Sequence, residues 1–335
     1  MTNWYTILWT ILIVLAFAWP SDQAEARSSS HIHASLLATA GERSAREEVE
    51  VPIAPDMVLT GVLHIPSTPV PAPAVVLFPG SQGSLNLPGV AEHLASQGIV
   101  ALDLSKRGVA GSDGHWGDET IERLAGDALA AVEYLRARPE VDAGQVGIVG
   151  HSQGGWVAQL AASRNPDVAF IVMLAGPAQA VREQVLADER NHLVGWGVPP
   201  HEADGRIEMF NLLLDAALTN PAVCGAQSPH YLCGLIHYDP AEALAGVRSS
   251  VLALFGERDP MTPPGLNEAR LRASLTGLED DQLQTRVFPG ANHVFWAAET
   301  GLRDEYPRLE RAYVPGFLDA ISSWILELPV SRVAP

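Results

Sequence analysis

The chain is short of positive charge and of cysteine. Against 39 acidic residues it carries 21 Lys and Arg, a formal net charge of −18 at pH 7. That balance repels phosphate backbones and anionic bilayers, so neither nucleic acid nor a membrane surface is expected as a partner. The two cysteines, Cys224 and Cys233, stand nine positions apart in a stretch punctuated by Pro221, Gly225, Pro229 and Gly234. In an oxidising compartment they would close one small loop, contributing about 2–3 kcal/mol in the chain-entropy model. In a cytosolic protein they would read instead as two unrelated buried thiols. No internal repeat is present. His31 and His33 form a lone His-x-His in a serine-rich segment, which reads as solvated tail rather than metal site. Hydrophobic residues make up 47% and charged ones 18%, an ordinary globular composition. A length of 335 residues accommodates one large α/β core with an insertion, or two small domains.

One long apolar run is present, Trp4 to Trp19, ended by Pro20, Ser21 and Asp22 and followed by the small-x-small pattern Ala24-Glu25-Ala26. It is short for a membrane span, which needs about 20 residues. Met1 to Asn3 contributes no Lys or Arg ahead of it. The expectation is a cleaved signal peptide over residues 1–26, with an uncleaved N-terminal anchor as the alternative and a buried helix of the folded body as a third reading. Either export route places the body outside the cytoplasm, periplasmic or secreted.

A polar linker (27–47) leads into two strand-like runs, Glu48 to Ile53 and Met57 to Ile65, joined by a turn at Ala54-Pro55-Asp56. This reads as a β-hairpin. Strands and helices then alternate. Strands are expected at Ala74–Phe78, Ile99–Asp103, Val146–Val149, Phe170–Ala175, Ser250–Phe255 and Thr285–Phe288. Helices are expected at Val90–Gln97, Glu119–Arg138, Leu266–Leu275 and Phe317–Leu328, with another directly after Ser152. Continuous apolar strands alternating with helices call for a mostly parallel, doubly wound sheet covered on both faces. The rhythm stops between Pro177 and Gly246, where helical patches (Val181–Leu193, Ile207–Leu218) occur without a strand. The division expected is a core of residues 48–176 and 247–330 and an inserted helical cap at 177–246. Such a cap would lie over the strand ends, where ligands bind in open α/β sheets.

Chemistry is concentrated at Gly150-His151-Ser152-Gln153-Gly154, a Gly-x-Ser-x-Gly pattern between a strand and a helix. That spacing turns the chain sharply and pushes the serine hydroxyl out at the bend, in a strained backbone conformation. Serine is a poor nucleophile unless a base lies within reach and an acid orients that base. Two loops downstream supply these. Asp259 follows a strand in Gly256-Glu257-Arg258-Asp259-Pro260, and His293 follows the last strand in Pro289-Gly290-Ala291-Asn292-His293. Glu257 is the competing acid, set closer to its strand. The oxyanion needs two N–H donors. Gln153 N–H at the helix start is one, and the loop Pro79–Gly83 offers the other, Ser81 before Gln82. Trp196, His192, His201 and Tyr231 would line an acyl or aromatic pocket, or simply fill the cap's core.

These motifs together resemble the α/β-hydrolase superfamily, and in particular bacterial serine esterases of the dienelactone-hydrolase and acyl-peptidase-like branch. Asp103-Leu-Ser-Lys-Arg-Gly-Val-Ala-Gly-Ser112 is similar to the Asp-x-x-x-Arg-Gly-x-x-Gly-x-Ser loop of such proteins, where the arginine loop is a structural brace. The likeness runs over about Glu48 to Leu328. It implies an α/β-hydrolase fold with an N-terminal hairpin and inserted cap, and acyl transfer to water with no metal or organic cofactor. The substrate implied is a small-molecule ester. Two departures stand out. Dienelactone hydrolases proper have a cysteine nucleophile, and prolyl-oligopeptidase relatives carry a propeller that about fifty residues cannot build. A peptidase or amidase using the same three residues is the runner-up, although no Glu-Glu amine-binding pair is evident in the cap. A thioesterase acting on acyl-CoA fits an exported protein poorly. A catalytically dead binding module would be expected to lack one of Ser152, Asp259 and His293. Oligomeric state is open.

Overall fold

The computed structural model describes residues 44–67, 71–81, 87–115, 119–224, 231–279 and 281–329. The expected leader and most of the linker lie outside these, as do His31, His33 and Gln82. Within the described residues no helix is long and apolar enough to cross a membrane.

The strands are β1 (Ser44–Ala54), β2 (Met57–Pro66), β3 (Ala72–Phe78), β4 (Val100–Leu104), β5 (Val141–His151), β6 (Phe170–Leu174), β7 (Ser250–Gly256) and β8 (Leu283–Phe288). They form one sheet in the order β1-β2-β4-β3-β5-β6-β7-β8. β1, β2 and β4 pair antiparallel, and from β4 through β8 every pairing is parallel. The N-terminal hairpin is therefore the antiparallel edge of an otherwise parallel sheet.

Successive residues of the central strands divide between two cores. Val76, Phe78, Ile148, Ile171 and Phe255 face one, and Val75, Leu77, Val149, Val172 and Leu254 face the other. A strand buried on both sides must be apolar throughout, which is why these runs show no polar alternation. The first face is covered by α2 (Ile121–Arg136) and α3 (Gln153–Arg164), the second by α1 (Val90–Ser96) and α10 (Phe317–Glu327). α2 begins two residues later than the sequence pattern implies. Thr120 caps it, its hydroxyl accepting from Arg123 N at 3.2 Å, and this leaves Glu119 outside the helix.

Between β6 and β7 the described chain is helical: α4 (Val181–Gly195), α5 (Pro200–Leu218), α6 (Pro221–Cys224), α7 (Tyr231–Leu235) and α8 (Ala241–Gly246). Helix α9 (Pro264–Ser274) follows β7. Cys224 and Cys233 are disulfide-bonded, with Cα atoms 5.6 Å apart. The short helices α6, α7 and α8 escape a periodicity argument because one turn or so of helix shows no repeat.

The order of the strands positions the site. The chain runs outward from β3 to β4, then back across to β5 and onward in the other direction, so the sheet's topological switch lies between β3 and β5. Parallel pairing brings the C-terminal ends of β3, β5, β7 and β8 to one edge, with Phe78 opposite Gly150 and Gly256 opposite Phe288. Crevices at such an edge are where α/β sheets bind ligands.

Candidate active site

Ser152 joins β5 to α3 with φ 52° and ψ −116°, a conformation that side-chain-bearing residues rarely adopt. Packing enforces it. A Cβ on Gly150 would lie 2.0 Å from Gly154 O, one on Gly154 would lie 2.4 Å from Phe78 O, and one on Gly155 would lie 2.6 Å from Gly176 Cα. Ser152 N donates to Leu174 O at 2.9 Å, and Ser152 O accepts from Gly155 N at 2.8 Å. The turn is thus clamped by its own glycines, by the end of β3 and by β6. Such strain persists only where the surroundings over-determine it.

Asp259 and His293, from the loops after β7 and β8, are brought together. His293 Nδ1 donates to Asp259 Oδ2 at 2.7 Å, and both side chains are buried. The other carboxylate oxygen accepts from Met261 N at 2.8 Å and Thr262 N at 3.1 Å, and the Thr262 hydroxyl donates to Oδ2. Burial works against the Asp259 charge, but the His293 and Thr262 contacts outweigh it and hold the carboxyl below its ordinary range. Burial likewise works against a charged His293; the Asp259 charge and hydrogen bond prevail and raise the imidazole above its ordinary value. Glu257 does not compete: its carboxylate is exposed and accepts from Gly290 N at 2.9 Å.

The His293 loop is pinned from below. Buried Asn292 accepts from Val294 N at 3.1 Å and Trp296 N at 3.0 Å, and Phe295, at φ 60°, stacks on Phe317 with ring centroids 4.1 Å apart. His151, immediately before Ser152, links the serine turn to this loop. Its Nε2 donates to His293 O at 3.1 Å, and the two rings lie 5.1 Å apart. Burial and the neighbouring His293 push His151 down to about 3, so it stays neutral near pH 7. Ser152 Oγ itself makes no hydrogen bond to His293, a contact that commonly tightens only when substrate is bound. The loop after β3 closes on the serine from the other side: a Cβ on Gly80 would lie 3.3 Å from Ser152 Cβ. Ser81, the next residue, is half-buried at this edge. Gln153, first residue of α3, is among the helix-start groups whose N–H has no intrahelical acceptor.

The arginine loop divides into two ion pairs. Arg107 grips Asp127 on α2 through Nε at 2.7 Å and Nη2 at 2.6 Å, a brace as expected. Lys106 pairs with Glu119 at 3.3 Å, fully enclosed. On the insert side, Arg303 is held between Asp188 and Glu189 of α4, and Trp196 Nε1 donates to Asp304 at 2.9 Å. Of the cap residues singled out from the sequence, His192 is buried against Asp188, Trp196 is half-exposed and His201 is exposed. Tyr231 falls at the start of α7, and its side chain is not among those described. Sequence reasoning missed Thr262, His151 and the Asp188–Glu189–Arg303 latch. Thr262, three residues after Asp259, had a local signal; the latch joins residues over a hundred positions apart and had none. Among the described residues no group of three or more His, Cys, Asp or Glu could hold a metal ion.

A mostly parallel sheet with a strained serine at its switch point and an acid–histidine pair at the same edge is the architecture of the α/β-hydrolase fold. The alpha/beta hydrolase family model matches residues 75–304, and the chain belongs to that family. An uncharacterised protein of Mycobacterium tuberculosis is 26% identical over 222 residues, 66% of this chain and 63% of that protein. The chain thus aligns with less than two thirds of the length of this relative. A thiohydrolase (apmlB) of Arthrinium phaeospermum is 31% identical over 129 residues, 38% of this chain and 41% of that one. Among solved structures, an esterase of Pyrococcus furiosus superposes with a TM-score of 0.56 at 14% identity, covering 84% of this chain and 90% of that chain. Acetyl xylan esterase 1 of Thermoanaerobacterium sp. gives 0.56 at 16%, covering 88% and 86%. At these identities the superpositions speak for the fold.

Proposed function

We propose that the protein cleaves carboxylic esters through an acyl-enzyme on Ser152, with His293 as base and Asp259 as its orienting acid. The observation that carries this is the strained serine at φ 52° beside a buried Asp259–His293 pair at 2.7 Å, all at one sheet edge. His293 Nδ1 is committed to Asp259, which leaves Nε2 as the nitrogen that takes the Ser152 proton. Attack on the ester carbonyl places negative charge on its oxygen, which Gln153 N–H and Ser81 N–H receive. The His293 imidazolium returns the proton to the departing alcohol, and water then repeats the sequence to release the acid. The three residues complete this chemistry with no cofactor.

An ester is favoured over a peptide by the Asp188–Glu189 pair. These adjacent acids on α4 are the nearest equivalent to an amine-binding site, and Arg303 occupies both. The likeness to a thiohydrolase, though confined to 129 residues, makes a thioester the second acyl donor to examine. The apolar run within residues 1–26, read as a signal peptide or N-terminal anchor, supports an activity outside the cytoplasm.

Turnover of a p-nitrophenyl ester series, matched acyl thioesters and aminoacyl anilides tests the assignment. Esters are expected to be the best substrates. Preference for the anilides would replace the esterase with a peptidase.

A further inference from the structure

Lys106 is the only lysine in the chain; the other twenty basic residues are arginines. It is also among the most deeply buried side chains, 1% exposed, and its partner Glu119 is 0% exposed. Lys106 Nζ donates to Glu119 Oε2 at 3.3 Å and to Gln153 Oε1 at 2.5 Å. Gln153 is the residue after Ser152, itself 2% exposed. Helix α7 helps seal the pair: a Cβ on Gly234 would lie 2.3 Å from Glu119 O.

A buried ion pair is a poor source of stability, because desolvating both ions offsets most of their attraction. This one is also incompletely satisfied, since Glu119 Oε1 has no hydrogen-bond partner among the described residues. The next residue shows what a bracing pair looks like here: Arg107 and Asp127 meet through two parallel bonds. At 106 a fork is replaced by a point charge on a flexible stem, which one nitrogen can offer to two acceptors in different directions. The acceptors are a counter-ion on one side and the residue bearing the helix-start N–H on the other. The pair therefore forms a dipole with its positive end against Gln153. Through the side-chain bond it also fixes how Gln153 sits at the turn.

We propose that Lys106 is a positioning residue of the oxyanion hole: its enclosed ammonium, balanced by Glu119, holds Gln153 so that the Gln153 backbone N–H meets the oxyanion formed on attack by Ser152. The inference rests on the esterase reading above. It assigns a task to the chain's single lysine, in a loop otherwise read as a brace. The effect belongs to the transition state, so it falls on kcat rather than KM.

Two variants test it. Gln153→Met removes the acceptor and leaves the ion pair intact; Lys106→Met with Glu119→Gln removes both charges without stranding either. Each is assayed on a p-nitrophenyl ester and titrated with phenylboronic acid, which forms a tetrahedral adduct with a nucleophilic serine. Removing an oxyanion donor outright costs about 100- to 1,000-fold in kcat, and misplacing one is expected to cost about 10- to 100-fold. KM should stay within about threefold, and boronate affinity should fall in step with kcat/KM. Because Lys106 is the sole lysine, protein grown on isotope-labelled lysine gives one ammonium NMR signal, expected to shift when the boronate binds. Wild-type kcat and boronate affinity in either folded variant would overturn the proposal, as would a loss confined to KM; if the double variant does not fold, Gln153→Met decides alone. Ser152→Ala run alongside separates the two claims. Activity surviving in that variant removes the esterase reading, whereas an inactive Ser152→Ala beside unaffected lysine and glutamine variants removes only this inference.

Discussion

The serine turn and the helical stretch between β6 and β7 are constrained to very different degrees. Around Ser152 three glycines are within van der Waals overlap of a hypothetical methyl, and every residue from Gln153 to Ala162 is buried. In the insert, the 19-residue α5 buries Ala203 and Leu214, while Met209 and Leu212 stand open at 49% and 59% exposure. One region has a single backbone solution that few sequences satisfy. The other has many, because a half-exposed helix tolerates most substitutions. The chemistry proposed for the chain falls in the first region, which is why its residues are the ones a sequence declares most loudly.

The sharpest way to break this contrast is Ser152→Ala. It is expected to lower kcat on p-nitrophenyl esters by about 10,000-fold or more while leaving the circular-dichroism spectrum unchanged. Next comes Asp259→Asn, which keeps the shape but strands the histidine tautomer; a loss of about 1,000- to 10,000-fold is expected. Glu257→Gln, the rival acid, should stay within about twofold, and a reversal of these two results would reassign the acid. Gly150→Ala probes the backbone itself. With Gly154 O in the way, denaturant unfolding should show a loss of about 3 kcal/mol, near the upper end for overpacking.

The acid limb of kcat/KM supplies the fourth test. Asp259 favours the protonated imidazole, so His293 gains its proton at a higher pH than free histidine does, and a protonated His293 cannot accept from Ser152. Activity should therefore fall as pH drops through a value above 6.5, the ordinary histidine value. A limb below 6.5 would mean that burial, not Asp259, governs the histidine. Smallest of all, Leu212→Ser in the insert is expected to change stability by no more than about 0.5 kcal/mol by thermal melt.

The same contrast explains what could be read from the sequence. Strands β3 to β7 are legible because burial on both faces demands mostly apolar runs, and Ser152 and Asp259 because each follows such a run; β8, which precedes His293, alternates half-buried and exposed residues and carries a weaker signature. β5 begins at Val141, earlier than Val146: Val141 is buried, but Asp142 to Gln145 between them are only half-buried and break the apolar run. Glu119 looked like the start of α2; Thr120 takes the cap, and Glu119 turns inward to Lys106 instead. His151 occupied a variable position of the motif, yet its ring supports the His293 loop. The Arg303 latch depends on tertiary proximity between α4 and a loop far along the chain, which no local pattern encodes.

The identity of the nucleophile is tested most directly by peptide mass spectrometry after reaction with a fluorophosphonate. One equivalent of label on the peptide containing Ser152, absent from Ser152→Ala, is the expected result. Label on another residue, or hydrolysis that persists in Ser152→Ala, would contradict it.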